Sequence, residues 1–361
     1  MISRAESAAL EGWISMEKKT ILVVGLGLIG GSLSMALQGF EDYEVVGAVR
    51  SQATYDKAVV RRAAHRVTMD GPAELPGADV VILCQDPQGI VDFLQDNAER
   101  FKPGSLVCDV CGVKTAVMEA AQCLPEGVGF IGCHPMAGKE VSGIDHAEAT
   151  LFRNAHFIMT PRADSQPEHI ALLERMAQYC GFRDVVRTTP EHHDAIIAYT
   201  SQLMHVVAVA VCDDPDLFDC RGYEGGSFRD CTRVAALDVP LWTQLFSMNA
   251  PALTKVIEGL ENRLRAYRKA IAEGDPVTLA AMLAASASRK RQMNLEARRG
   301  DDVRLYTEKE DLALVGPGPL FLCVTDVYFT ATASISNRPS LGRAPACTQE
   351  RAGGSSRKYS A

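Results

Sequence analysis

The chain has 361 residues, of which 47% are hydrophobic and 23% are charged. These values are typical of globular proteins and exclude a fibrous chain or one that is disordered throughout, and the length predicts two to three domains at about 150 residues each. With 37 Lys and Arg against 45 Asp and Glu, the net charge of −8 argues against a nucleic-acid-binding protein with a broad basic surface.

The N-terminus does not resemble a targeting segment. Residues 1–20 contain no continuous apolar core and no small-residue cleavage site, so we predict no signal peptide. The two most apolar stretches, 21–37 and 195–212, are interrupted by glycine or by polar residues and are not typical of a membrane span. The 11 cysteines are an odd number scattered through apolar segments, which fits a reduced, cytoplasmic protein that does not enter a membrane.

The first elements in chain order follow a strand–turn–helix pattern. Residues 1–17 precede them and are predicted to be an N-terminal extension. The apolar run 21–24 predicts a buried strand, and the glycine-rich turn after it leads into a helical segment. Short strands are then predicted at 43–49, 78–84, 105–109 and 129–133, with helices at 90–101 and 114–123 between them. This alternation predicts an α/β domain over residues 18–189, with a Rossmann-type, doubly wound parallel sheet.

The character of the sequence changes after residue 189. Residues 190–299 are rich in Ala, Leu and Met at helical spacing, which predicts a mainly α-helical second domain. Residues 300–361 contain many Ser, Ala and Arg residues without a regular pattern. We expect an irregular, disordered tail there, because such a segment buries too little apolar surface to order itself.

The glycine-rich turn is the first candidate for chemistry. It follows a strand, opens a helix, and reads Gly25-Leu26-Gly27-Leu28-Ile29-Gly30. Glycines at this spacing allow the backbone to approach a pyrophosphate, which binds at the positive end of the helix. We therefore predict that these residues bind a dinucleotide.

The end of the second strand distinguishes NAD from NADP. An acidic residue there binds the ribose 2′-hydroxyl of NAD, whereas an arginine accommodates the 2′-phosphate of NADP. This chain has Arg50 and Ser51 and lacks the acid. The pattern leans toward NADP or a relaxed preference, but Arg50 is equally explained as a solvated loop residue, so the cofactor is NAD or NADP.

Cys108 and Cys111 form a C-x-x-C pair, which is compatible with a redox dithiol or with half of a zinc site. A structural zinc site needs four ligands, and the sequence contains no second C-x-x-C or matching histidine pair. We predict no metal site and interpret the pair as small residues at the end of a buried strand.

Polar residues cluster in three further segments. His134 follows a predicted strand at the edge where open α/β sheets bind ligands, and histidine is the common general base near neutral pH. Ser201 and His205 are four residues apart and share a helix face. Arg233 lies in a third cluster, and its planar guanidinium suits a carboxylate.

Four motifs in this order resemble the prephenate/arogenate dehydrogenase family of tyrosine biosynthesis. They are GLGLIGGSL, GCHPMAGKEVSG, HDAIIAYTSQLMH and FRDCTRVAALDVPLW, and the resemblance extends over residues 18–295. It implies a dinucleotide-binding domain followed by a helical domain that forms the interface of a homodimer. The reaction implied is the oxidative decarboxylation of prephenate, a small-molecule substrate, with hydride transfer from C4 of the ring to NAD(P)+.

The resemblance also implies residue roles. His134 matches the catalytic histidine that accepts the proton of the C4 hydroxyl, and Arg233 matches the arginine that binds the ring carboxylate. The remaining matched positions are near the substrate, the site entrance or the arginine: Glu140, Ser201, His205 and Asp230.

One departure from the family pattern concerns His134. Relatives commonly have a serine that orients the catalytic histidine, where this chain has Gly112. His134 then needs another partner, for which water and the backbone are the candidates. Two alternative functions stay open: arogenate dehydrogenase, or a non-catalytic nucleotide-binding sensor on the same scaffold.

Overall fold

The structure, a computed structural model, describes residues 18–313 and the side chains of residues 18–296. The predicted extension 1–17 and residues 314–361, most of the predicted tail, lie outside the described residues. Of the described residues, 18–282 belong to one compact unit and 283–313 belong to a second.

An eight-stranded sheet forms the centre of the first unit. Its strands, in chain order, are β1 (Lys19–Val24), β2 (Tyr43–Ala48), β3 (Arg66–Thr68), β4 (Val80–Leu83), β5 (Leu106–Asp109), β6 (Gly129–Pro135), β7 (His156–Thr160) and β8 (Asp184–Arg187). Their spatial order is β3-β2-β1-β4-β5-β6-β7-β8. All neighbouring strands are parallel except β6 and β7, which are antiparallel.

The helices of the described chain lie between the strands and then follow one another. Those that lie between strands are α1 (Leu28–Ala36), α2 (Gln52–Val60), α3 (Gly71–Glu74), α4 (Pro87–Asn97), α5 (Thr115–Ala120) and α6 (Pro167–Tyr179). After the sheet come α7 (Pro190–Ile197), α8 (Leu203–Cys212), α9 (Gly226–Thr232), α10 (Val239–Met248), α11 (Ala250–Ala272) and α12 (Pro276–Ala313). A π-helical turn, Ala198–Gln202, joins α7 to α8.

The central strands are apolar because helices cover both faces of the sheet. Every residue of β4 and of β5 is buried, as parallel strands with two covered faces require. Alternate residues enter two hydrophobic clusters: Ile82 belongs to the one that includes Phe152, and Val81 to the one that includes Leu94. The predicted Rossmann-type parallel sheet and the helical segment after it are confirmed.

Three strands are additions to the predicted set. β3 is three residues long, and β7 and β8 are at the other edge of the sheet. The burial pattern of β8 contains no fully buried residue, so its sequence lacks the apolar run that marks a central strand.

Helix α12 extends beyond the predicted end of the helical domain. It ends at Ala313, so residues 300–313, which we expected to be irregular, are helical. The reason is compositional: this segment contains Glu, Lys, Leu and Arg and no proline, and these residues favour helix.

One helical stretch, Pro190–Cys212, is long and apolar enough to span a membrane by composition alone. It also carries buried polar residues, among them His193, Asp194 and Gln202. Gln202 donates to the carbonyl of Leu245 at 3.1 Å. This hydrogen bond attaches the stretch to helix α10 of the same unit.

Candidate active site

The glycine-rich turn lies where the strand order reverses, between β1 and β4. In open α/β sheets this switch point is where ligands bind, at the carboxyl ends of the strands. Gly25 has a φ of +97°, and a Cβ at Gly30 would lie 2.0 Å from the carbonyl oxygen of Gly25. A Cβ at Gly27 would meet nothing within 4 Å. Two glycines thus shape a tight turn, and the third leaves open space before helix α1.

This geometry fits a pyrophosphate. Gly27 is the N-cap of α1 and no side chain caps the helix, so backbone N–H groups of its first turn are available to an anion. Within the described residues, the buried Oε1 atom of Gln85, at the end of β4, has no hydrogen-bond partner. It lies between the two cavities that meet at Gly27.

A cavity of about 580 Å³ lies on the β2 side of the turn. Gly25, Leu26, Gly27 and Arg50 line it, so four of the predicted cofactor residues come together here. Ser51 does not line this cavity; its hydroxyl accepts from the Thr54 N–H and caps helix α2. Arg50 follows β2 and is exposed, where it can reach a group bound in the cavity.

A second cavity, of about 640 Å³, lies on the other side of the turn and contains the predicted base. Gly27, Leu28 and Ile29 line it together with His134 and Ser201. His134 is on β6 rather than after it. The carboxyl ends of β1 and β6 and the π-helical turn therefore face one space.

A third cavity, of about 440 Å³, adjoins the second and contains Arg233, the residue that we predict to bind a carboxylate. Arg233, Glu140 and His205 line it, and Trp242 lines both cavities. Arg233 forms an ion pair with Glu140. Asp230 is exposed and lines neither cavity.

His205 is held in one orientation by two contacts. Its ring stacks on Trp242 with 3.6 Å between centroids, and its Nδ1 is 3.1 Å from the carbonyl oxygen of Ser201. Burial lowers the pKa of His205. Nδ1–H then donates to the carbonyl, which leaves Nε2 as an acceptor.

The side chain that contacts Nδ1 of His134 belongs to a second histidine. Nδ1 of His134 is 2.9 Å from Nε2 of His193, and Nδ1 of His193 is 2.8 Å from Oδ1 of Asp194. A Cβ at Gly112 would be 3.9 Å from Cε1 of His134, so the missing serine faces the same ring. Our expectation of a water or backbone partner was wrong, because residues 193 and 194 lie in the first turns of α7, directly beside β6.

The electrostatic surroundings keep His134 neutral. Burial lowers its pKa well below the ordinary value, and His193 and Lys114 lower it further. Burial opposes the ionisation of Asp194, but hydrogen bonds from His193, Thr115 and Lys114 hold the pKa of this carboxyl below its usual range. A neutral imidazole thus faces the cavity, supported by an ionised carboxylate.

A buried ion pair holds the loop below His134. Nζ of Lys114 pairs with Asp109, at the end of β5, and donates to the carbonyl of Cys133 at 2.7 Å. Burial acts to lower the pKa of Lys114, yet the nearby Asp109 carboxylate raises it above its ordinary value. Breaking a buried pair by removing one partner costs about 3–5 kcal/mol, so this pair is a strong constraint on the loop.

The two cysteines of the C-x-x-C pair, Cys108 and Cys111, are free and buried. Burial raises the pKa of Cys111 to about 12, so its thiol stays protonated. In the part of the chain that the structure describes, no three His, Cys, Asp or Glu side chains are placed to hold a metal ion.

Sequence reasoning missed the roles of His193, Asp194 and Trp242. The pair His193-Asp194 was visible in the helical motif, but nothing in the sequence places it against a residue 59 positions away. The aromatic residue close behind the arginine motif was the only signal for Trp242.

The chain matches family models over most of the described residues. Residues 33–186 match the nucleotide-binding domain of prephenate dehydrogenase, and residues 189–285 match the dimerization domain of prephenate dehydrogenase. Among curated proteins, the chain is 33% identical over 265 residues to a cyclohexadienyl dehydrogenase from Zymomonas mobilis, covering 71% of this chain and 90% of that protein.

Solved structures agree with these matches. The arogenate dehydrogenase of Synechocystis is 32% identical with a TM-score of 0.66, over 76% of this chain and 99% of that one. The prephenate dehydrogenase of Aquifex aeolicus, solved with hydroxyphenyl propionate and NAD+, is 27% identical with a TM-score of 0.69, over 77% of this chain and 99% of that one.

Proposed function

This chain belongs to the prephenate dehydrogenase family, and from that premise we propose that it oxidatively decarboxylates prephenate to 4-hydroxyphenylpyruvate. A hydride leaves C4 of the ring, carbon dioxide leaves C1, and the ring becomes aromatic. The reaction would serve tyrosine biosynthesis, as it does in the family. The chain is an oxidoreductase that uses a nicotinamide dinucleotide.

One observation carries the proposal: the predicted base and the glycine-rich turn line the same cavity. His134 faces the space that begins at Gly27, Leu28 and Ile29. A substrate held by the histidine would therefore lie next to a dinucleotide held by the turn. Proximity of this kind is a large part of the catalytic effect in bimolecular reactions.

Residues of the first cavity would hold the cofactor. The turn from Gly25 to Gly30 would bind the pyrophosphate, and Arg50 would face the ribose end. NAD(P)+ supplies the acceptor for the hydride. Arg50 in place of the usual acid supports NADP or a relaxed preference. Rates measured with NAD and with NADP distinguish these two possibilities.

His134 would accept the proton of the C4 hydroxyl. A neutral histidine at an ordinary working pH is the form that can do so, and the lowered pKa of His134 supports that form. Arg233 would bind the ring carboxylate. Its pairing with Glu140 uses part of the guanidinium, and the remaining N–H groups of the fork can bind a second carboxylate.

Ser201, His205 and Asp230 complete the proposed substrate site. Ser201 would face the nicotinamide end of the cavity and His205 the substrate end, since they line adjoining cavities. Asp230 would act at the entrance, since it is exposed on the helix that precedes Arg233. The domain boundary that we predict at residues 189 and 190 is close to the point where one family model ends and the next begins.

The proposed assembly is a homodimer in the cytoplasm. The family model that matches residues 189–285 is described as a dimerization domain, and helices α7 and α8 expose apolar residues. Arogenate is the alternative substrate, since the chain is similar to an arogenate dehydrogenase as well as to a prephenate dehydrogenase.

A steady-state assay that crosses prephenate and arogenate with NAD and NADP tests the proposal. We expect turnover of prephenate, and the four rates give the substrate preference and the cofactor preference at once.

His134→Asn should lower kcat by about 10²- to 10⁴-fold, the usual contribution of a general base, and Arg233→Ala should mainly raise the KM for prephenate. Cofactor binding without turnover of either substrate would contradict the enzymatic function.

A further inference from the structure

Three side chains form a continuous hydrogen-bonded series that ends at the proposed base. Asp194 contacts His193 at 2.8 Å, and His193 contacts His134 at 2.9 Å. His193 and Asp194 are both buried, with relative exposures of 2% and 4%. Water therefore does not compete for the contact between these two residues, and each donor and acceptor in the series constrains the next.

The carboxylate end of the series is fixed from several sides. Oδ1 of Asp194 accepts from the backbone N–H of Lys114 at 2.8 Å, and Oδ2 accepts from the N–H of Thr115 at 2.8 Å. An ionised carboxylate can only accept hydrogen bonds. Nδ1 of His193 must therefore carry a proton and donate it to Asp194.

This assignment determines the proton positions on both rings. A neutral histidine that carries its proton on Nδ1 has an acceptor at Nε2, and Nε2 of His193 faces Nδ1 of His134. His134 must then donate from Nδ1. Its Nε2 is left without a proton, which is the state that a general base needs.

We propose that His193 is the positioning residue that selects the Nδ1–H tautomer of His134 and that takes up charge when His134 is protonated. This proposal rests on the proposed function of His134. Gly112 has no side chain with which to orient the ring, and a Cβ at this position would lie 3.3 Å from Cδ2 of Leu245. His193 approaches from helix α7 and provides the orientation instead.

The proton movements balance over one turnover. As the hydride leaves C4, the hydroxyl proton passes to Nε2 of His134 and the C4–O bond becomes a carbonyl. The Nδ1 proton of His134 passes to Nε2 of His193, so the positive charge forms beside the Asp194 carboxylate. When carbon dioxide leaves C1, its bonding pair enters the ring, and the C4 oxygen takes a proton back from Nε2 of His134. His134 then recovers its Nδ1 proton from His193.

The charged groups around the series agree with this direction of proton movement. Lys114 is cationic and close enough to lower the pKa of His134, so a positive charge is disfavoured on that ring. The carboxylate of Asp194 lies 2.8 Å from Nδ1 of His193.

The test compares His193→Leu and His193→Gln with the matched variants His192→Leu and His192→Gln. His192 is the preceding residue on the same helix and is exposed, so its substitution controls for the change of residue type. We expect His193→Leu to lower kcat for prephenate by about 10- to 100-fold, a fraction of the general-base contribution, with KM changed less than about twofold. His193→Gln keeps a hydrogen-bond acceptor but cannot take up a proton, so its kcat should lie between those of wild type and His193→Leu.

A spectroscopic measurement tests the tautomer independently of turnover. In full-length protein with 15N-labelled histidines, long-range 1H–15N correlations report which ring nitrogen carries the proton, and His134→Asn identifies the His134 signals. We expect the proton of wild-type His134 on Nδ1, and a shift toward Nε2 in His193→Leu. If His193→Leu does not fold, the kcat of His193→Gln and the wild-type spectrum test the proposal without it.

Two results would overturn the proposal: a kcat for the His193 variants within about twofold of the His192 variants, or wild-type His134 protonated on Nε2. Failure of the proposed function is distinct from both, because it would appear as absence of prephenate turnover in the wild-type protein while the tautomer could still be measured.

Discussion

A histidine that accepts a proton must be neutral before the step, and the position of His134 ensures this. The ring is partly buried at the wall of the cavity and lies near the ammonium group of Lys114, and both effects lower its pKa well below the ordinary value. The hydrogen bond to His193 fixes the ring orientation without adding a negative charge directly at the ring. The lowered pKa is thus a consequence of packing on β6.

The lowered pKa predicts the pH dependence of kcat/KM. Protonation of His134 removes the base, and because its folded-state pKa is lowered, this occurs below the ordinary histidine pKa of about 6.5. We expect kcat/KM for prephenate to be unchanged as the pH falls through about 6.5, and to decline only at lower pH. Initial rates across this range check it, with circular dichroism to confirm folding. An apparent pKa at or above the ordinary value would contradict the prediction.

In the strand–turn–helix element from β1 to α1, some glycines are needed by the backbone and one leaves space for a ligand. Gly25 and Gly30 are required by the backbone, because a Cβ at either position would meet main-chain atoms at 3.1 Å or less. Gly27 has open space around its Cα and a φ of −85°. Only at Gly27 is the absence of a side chain explained by a ligand rather than by the fold.

Gly27→Ala and Gly30→Ala should therefore fail in different ways. We expect Gly27→Ala to fold with an unchanged Tm and to raise the KM for the dinucleotide about tenfold, or ~1.4 kcal/mol, because the methyl group occupies the approach to the helix. Gly30→Ala should lower the free energy of unfolding by about 1–3 kcal/mol, the usual cost of overpacking. Thermal melts and cofactor titrations measure both. An unchanged KM in Gly27→Ala would show that the dinucleotide does not approach this position.

At the scale of the whole molecule, helices cover both faces of the sheet, whereas the helices that follow the sheet leave apolar side chains exposed to solvent. Four apolar residues on α7, the π-helical turn and α8 are more than two-fifths exposed: Ile196, Tyr199, Met204 and Val211. Their spacing places them along one side of the stretch. Exposed apolar surface of this kind is typical of a protein–protein interface.

If the homodimer forms through this exposed apolar side of α7 and α8, negative charges introduced there should weaken the dimer. The double variant Tyr199→Glu, Met204→Glu should raise the Kd of the dimer about 100-fold or more, since burying an unpaired carboxylate costs several kcal/mol. Val60→Glu is the control, because Val60 is 82% exposed on helix α2. Sedimentation equilibrium measures the assembly. A monomeric wild-type protein, or a double variant as dimeric as Val60→Glu, would contradict the prediction.

Much of the fold was predictable because its signals are local. Each central strand is a short apolar run, as at Val80–Leu83, and the turn at Gly25 has a φ of +97°, a backbone conformation that favours glycine whatever surrounds it. The edge strands β3 and β8 were missed because strands that are short or half-exposed have no such run. The helix at residues 300–313 was missed because we took the composition of the whole tail to apply to its first residues.

The sequence by itself determined the class of protein and predicted the cofactor-binding turn and the base, since each depends on residue types at fixed spacing. Only the tertiary structure decided how that base is oriented. The residues Gly112 and His134 can be identified in the sequence, but His193, the partner of His134, lies on helix α7. The two histidines are 59 residues apart in the chain, and no local sequence pattern predicts a contact over that separation. Hydrogen bonds form between atoms that are close in space, and the packing of α7 against the sheet sets that proximity.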